Sequence, residues 1–187
     1  TSPRYRALLK TADELGLPVI LHTGCIHLGL FYRDPELGRA ELYRPWFKRY
    51  SGVRFLLVHM NFNQPEIAID LASEFRNIWL DTSWQPSEII GEAVRRIGSD
   101  RILLGSDWPF VGGNIRTARA RLEKCVDGAI LTLSQANDIS GANARAFFAL
   151  GSPVARLVPR SSETASEGRD PIKLVTAPSA GRTSGNA

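Results

Sequence analysis

Cysteine is scarce in this 187-residue chain, at two residues, Cys25 and Cys125, too few for the disulfide framework that holds small secreted domains together. Neither stands in a C-x-x-C pair and no H-E-x-x-H occurs, so ready-made zinc motifs are missing too. A reducing, cytoplasmic setting is the expectation that follows. Long apolar runs are also lacking. Stretches such as Phe55–Val58 are strand-sized, far below the roughly 18 residues of a membrane span. The opening TSPRYRALLK carries charges where a signal peptide needs an apolar stretch. With no methionine at position 1, the chain is expected to be the end of something longer. A one-signed charge excess is absent as well: Lys and Arg against Asp and Glu number 18 to 16 over residues 1–151 and 5 to 3 beyond. Neither a nucleic-acid nor a membrane partner is therefore expected, and the basic run Arg116, Arg119, Arg121 and Lys124 reads as a solvated helix face.

What is present is ordinary globular composition, with 43% hydrophobic and 22% charged residues, and length enough for one domain. The composition changes after Gly151. Residues 152–187 are rich in Ser, Thr, Ala, Gly and Pro, cannot bury enough to offset their ordering entropy, and are expected to form a disordered tail behind a domain spanning 1–151. Within that domain four runs, PVILH (18–22), VRFLLVH (53–59), NIWLD (77–81) and RILLGSD (101–107), read as buried parallel strands. Between them Pro35, Pro65 and Pro86 mark helix starts, and Gly52 and Gly98 are expected to close helices in a left-handed conformation.

Alternating strands and helices predict an α/β fold with a parallel sheet. His22-Thr23-Gly24 after the first run has no G-x-G-x-x-G, which counts against a dinucleotide-binding sheet. All four runs end in an ionisable residue, His22, His59, Asp81 or Asp107, the pattern of a (β/α) barrel of TIM type, whose catalytic groups gather at the C-terminal ends of its strands. A full barrel takes about 250 residues. About four βα units fit here, half of such a barrel, with both sheet edges and the inner face left to be covered by missing strands, a second copy or another chain.

Among the strand-end residues Asp107 is the most telling. GSDWPF sets its carboxylate at the end of a buried strand, where an unpaired charge is costly and a metal, a protonated histidine or a substrate proton is the natural companion. His22 and His59 could equally be hydrogen-bonded structural residues. Asp81, followed by Thr82-Ser83, suits a turn in which the carboxylate accepts local backbone donors. Cys25 and His27 lie too close to His22 in sequence to complete a metal site by themselves.

PVILHTG, RFLLVHMN, NIWLDTSW, RILLGSDWPF and the late ISGANARAFFAL together resemble the second half of the amidohydrolase-related family, over about residues 3–150. The resemblance implies a distorted (β/α)8 barrel, often holding a divalent metal such as zinc, that hydrolyses cyclic esters or amides or decarboxylates aromatic and unsaturated acids. It further implies that His22 is a metal ligand, that His59 polarises or protonates a small-molecule substrate, and that Asp107 both touches the metal and acts as the catalytic base. The family's first-strand His-x-His pair has no counterpart in this sequence. Hydrolysis, lactonase chemistry included, is the first expectation. Decarboxylation, or a catalytically incomplete half-barrel partnered by its missing N-terminal half or by a second copy, is the alternative.

Overall fold

A computed structural model describes residues 3–24, 35–110 and 114–150. Its elements run α1 (Pro3–Glu14), β1 (Val19–His22), α2 (Arg44–Arg49), β2 (Phe55–Val58), α3 (Pro65–Glu74), β3 (Ile78–Asp81), α4 (Ser87–Ile97), β4 (Ile102–Leu103), α5 (Ile115–Asp127), α6 (Leu133–Asn137) and α7 (Asn143–Phe148). Among the described residues no helix is long and apolar enough to cross a membrane. The expected tail, 152–187, lies outside the described residues.

Local chemistry sets most of the boundaries. Pro65 occupies the first turn of α3, where its missing N–H is no loss, and Pro86 precedes α4 in extended conformation. Asn114 caps α5 by accepting from the Thr117 N–H at 2.8 Å, and Thr132 with Gln135 forms a reciprocal capping box on α6. Gly98 ends α4 at φ 81°. Two expectations fail. Pro35 opens only a short 3-10 turn, Pro35–Gly38, and the helix waits for Arg44-Pro45. Gly52 does not take positive φ, since α2 has already ended at Tyr50.

The four strands form one parallel sheet in the order β1-β2-β3-β4, with Val19 opposite Phe55, Phe55 opposite Ile78 and Leu80 opposite Ile102. Phe55, Leu57, Ile78, Leu80 and Ile102 point to one face and are buried against the helices, together with Ala68, Leu71, Ile90 and Leu122. Each large apolar side chain so buried contributes about 1.5–3 kcal/mol. Arg101 sits beneath this layer. Its Nη1 donates to the carbonyls of Ala72, Phe75 and Ile78, tying the end of α3 to the start of β3.

The opposite face carries Leu56, Trp79 and Leu103. Here the structure departs from the expected bare inner face, because α7 folds over one end of it. Phe147 is fully buried against Leu56 and Leu103, its ring 5.4 Å from Trp79, and its carbonyl accepts from Arg54 Nε at 3.0 Å. The outer edge of β4 is closed as well. Asn143 Nδ2 donates to the Ile102 carbonyl at 2.8 Å, and the Leu104 N–H donates to Ile139 at 2.9 Å, within a π-helical turn at Asp138–Ala142. At the other edge, Ile20 of β1 is 54% exposed.

Candidate active site

The C-terminal ends of the strands carry the chemistry. Immediately after β2 the backbone does something unusual: His59, Met60, Asn61 and Phe62 all have positive φ, from 45° to 66°. Left-handed backbone costs a non-glycine residue roughly 1–2 kcal/mol, so this run persists only because its surroundings hold it, the arrangement in which strain accompanies function. Thr23 Oγ1 donates to the Val58 carbonyl at 2.6 Å and accepts from the Asn61 N–H at 3.1 Å. Asn61 Oδ1 accepts from the Ala40 N–H. Gln85 Nε2 donates to the carbonyls of His59 and Phe62 at 2.6 and 2.8 Å.

These contacts present the His59 ring, only 3% exposed, to the end of the sheet. Its Nε2 lies 3.9 Å from Asp107 Oδ1. The other Asp107 oxygen accepts from the indole N–H of Trp84 at 2.7 Å. On its far side His59 meets His22, the last residue of β1, edge to face with ring centroids 5.0 Å apart. His22, His59 and Asp107 thus gather at one end of the sheet. Burial lowers the pKa of both histidines; their mutual repulsion lowers His22 further, while the Asp107 charge pulls both upward.

Asp81, at the end of β3, has a different part. Its carboxyl is buried and its Oδ1 accepts from the His59 N–H at 2.9 Å, the Ser83 N–H at 3.1 Å and the Ser83 hydroxyl at 2.5 Å. The local turn the sequence suggested is there, and it also anchors the His59 backbone. Desolvation raises the Asp81 pKa to about 6, against the pull of these donors. Gly105 makes room for it: a Cβ there would stand 2.7 Å from Asp81 Cγ.

Phe62, Trp84 and Phe110 line the approach, with ring separations of 6.4 Å for Phe62–Trp84 and 6.3 Å for Trp84–Phe110. Trp108 stands 72% exposed beside Asp107. Sequence reasoning placed Ser83 only in the turn after Asp81 and assigned no role to Trp84, Thr23, Asn61 or Gln85, because the contacts that bring them to the site, Trp84 to Asp107, Thr23 to Val58 and Asn61, and Gln85 to His59 and Phe62, each join residues more than 20 positions apart.

A divalent cation needs more donors than these. Catalytic zinc takes three protein ligands, and among the described residues no group of three or more His, Cys, Asp or Glu side chains is arranged to hold a metal ion. His22 and Asp107 alone do not fit one, and Cys25 and His27 lie outside the described residues.

The amidohydrolase family model matches residues 1–150. Similar solved structures include a 2,6-dihydroxybenzoate decarboxylase from Rhizobium (21% identity, TM-score 0.62, 80% of this chain and 56% of that one). Another is a 4-oxalomesaconate hydratase from Rhodopseudomonas palustris (20%, 0.56, 80% and 51%). A third is a zinc-bound amidohydrolase from Burkholderia multivorans (11%, 0.59, 80% and 58%). This chain therefore spans about half the length of these neighbours, and its four βα units are about half of a TIM-type barrel. No curated protein matches.

Proposed function

The chain belongs to the amidohydrolase family, and from that premise we propose that its strand-end rim is the acid–base side of an enzyme site that hydrolyses a cyclic ester or amide, or a related small carboxylated molecule. The observation that carries this is the His59 Nε2 to Asp107 Oδ1 approach of 3.9 Å, with Trp84 holding the other carboxylate oxygen. At that distance the two groups are not hydrogen-bonded to each other, and carboxylate and imidazole face one another closely enough to act on the same small molecule as an acid–base pair. Asp107 would take the proton of a water attacking the carbonyl carbon and pass it to His59 Nε2. His59 so protonated would donate it to the oxygen or nitrogen that leaves the carbonyl carbon as the ring opens, and His22 would orient the substrate from the neighbouring strand. No step is routed through a metal, because the donor set described here does not hold one.

Decarboxylation of an aromatic acid is the second reading, favoured by the aromatic approach formed by Phe62, Trp84 and Phe110. In it the same pair delivers a proton to the ring carbon that loses carbon dioxide. In either case a complementary half-barrel or a second copy would supply the rest of the mouth, and a cytoplasmic setting fits a sequence with only two cysteines.

The test is an assay panel of lactones, cyclic amides and aromatic carboxylic acids, with and without added zinc. Ring opening without gas release supports hydrolysis, and carbon dioxide release supports the second reading. His59→Asn and Asp107→Asn should each lower turnover about 10²–10⁴-fold. Turnover unchanged in both variants would remove the pair from the chemistry.

A further inference from the structure

We infer that Ser83 is a positioning residue that fixes the tautomer of His59, holding the ring proton on Nδ1 and leaving Nε2 bare toward Asp107. Three buried groups in a row carry it. His59 Nδ1 lies 2.6 Å from Ser83 Oγ, and Ser83 Oγ lies 2.5 Å from Asp81 Oδ1. All three residues are buried, at 3%, 1% and 7% exposure.

A hydroxyl has one hydrogen to give. Asp81 Oδ1 already accepts from the N–H groups of His59 and Ser83, so it sits among donors as an ionised carboxylate oxygen does and can only accept from Ser83 as well. The Ser83 hydrogen therefore points to Asp81. What remains toward His59 is a hydroxyl lone pair, and a lone pair at 2.6 Å requires a proton on Nδ1. The chain of donors then runs from the ring through the hydroxyl to the carboxylate, and burial strengthens each link.

The consequence reaches the proposed site, on which its catalytic meaning rests. A neutral His59 of this tautomer offers an acceptor at Nε2 and no donor. It can take a proton from water or substrate, and it can donate only after it has been protonated, when Asp107 stands ready to stabilise the charge. Proton removal thus precedes proton delivery at this residue.

Nitrogen-15 NMR of the full chain at about pH 8 reads the tautomer directly. The chain has three histidines, so single substitutions His22→Gln and His27→Gln assign the signals. The expected result is a His59 ring with a protonated Nδ1 and a bare Nε2. Ser83→Ala should shift the ring toward the Nε2–H form that an unconstrained histidine side chain prefers, and Ser83→Thr, which keeps the hydroxyl, should restore the first pattern. An Nε2–H tautomer in the wild-type chain overturns the inference, as does an unchanged ring in a folded Ser83→Ala variant. If Ser83→Ala does not fold, the wild-type spectrum still decides. A fixed Nδ1–H form in a chain that turns over none of the assayed substrates would sink the proposed activity alone, whereas an Nε2–H form in an active chain would sink this inference alone.

Discussion

Burial opposes the charge of Asp81. Its pKa rises from 3.8 to about 6 on burial, and the sign of the effect on stability follows from proton counting. Between about pH 4 and pH 6 the folded chain keeps a proton on Asp81 that the unfolded chain has released. Stability from this group is therefore present at low pH and is lost as pH rises through that window, by about 3 kcal/mol for a shift of some two units. His22 and His59 act in the opposite sense, because their lowered pKa values mean the unfolded chain gains protons first on acidification. Both histidines remain in Asp81→Asn, so the difference between wild type and that variant isolates the carboxyl. Urea midpoints at pH 4 and pH 7 should show the wild type losing about 2 kcal/mol relative to Asp81→Asn across the interval, the remainder of the effect lying below pH 4. Parallel curves for the two proteins would mean that Asp81 is paired well enough to ionise normally.

Among the elements, α7 and the π-helical turn before it do more than continue the outer layer. The two adjacent rings of α7 part ways: Phe147 turns inward onto Leu56, Leu103 and Trp79, while Phe148 stays 40% exposed. The π-helical turn brings Ile139 and Asn143 against β4, which satisfies backbone groups that an edge strand would otherwise leave open. Truncating Phe147 to alanine leaves a cavity and should cost about 3–5 kcal/mol. Phe148→Ala should stay within about 1 kcal/mol, since an exposed ring has little packing to lose. Denaturant midpoints of the two variants check the asymmetry, and equal losses would place both rings in the core.

At the scale of the whole molecule, four βα units with one closed edge, one open edge and a partly covered inner face make a half-barrel. That arrangement brings His22, His59 and Asp107 to one rim without supplying a third metal donor among the described residues. The isolated chain should accordingly bind zinc weakly and lose it on dialysis. Titration followed by metal analysis settles the matter. One equivalent retained after dialysis, and lost in His22→Ala, would show that donors such as Cys25 or His27, or those of a second copy, complete a site.

By itself the sequence determined where the parallel strands run, because β-branched and leucine-rich runs bounded by turn residues read as strands; it overstated their burial, since β1 alternates half-buried and exposed positions and β4 shrinks to Ile102–Leu103. It determined the starts of α3 and α4 through Pro65 and Pro86, and it marked His22, His59 and Asp107 by their places at strand ends, with the matching strings pointing to the family. Tertiary structure decided the rest. The left-handed run from His59 to Phe62 has no glycine to announce it and exists only because Thr23, Gln85 and Asp81, all more than 20 positions away, supply its hydrogen bonds. Trp84 reaches Asp107 across 23 positions, and Phe147 finds its apolar partners in Leu56 and Leu103, which come together only when β2 and β4 share a sheet. Periodicity and turn chemistry are local and can be read along the chain, whereas orientation at the site depends on partners that share no local pattern and meet only when the strands come into register.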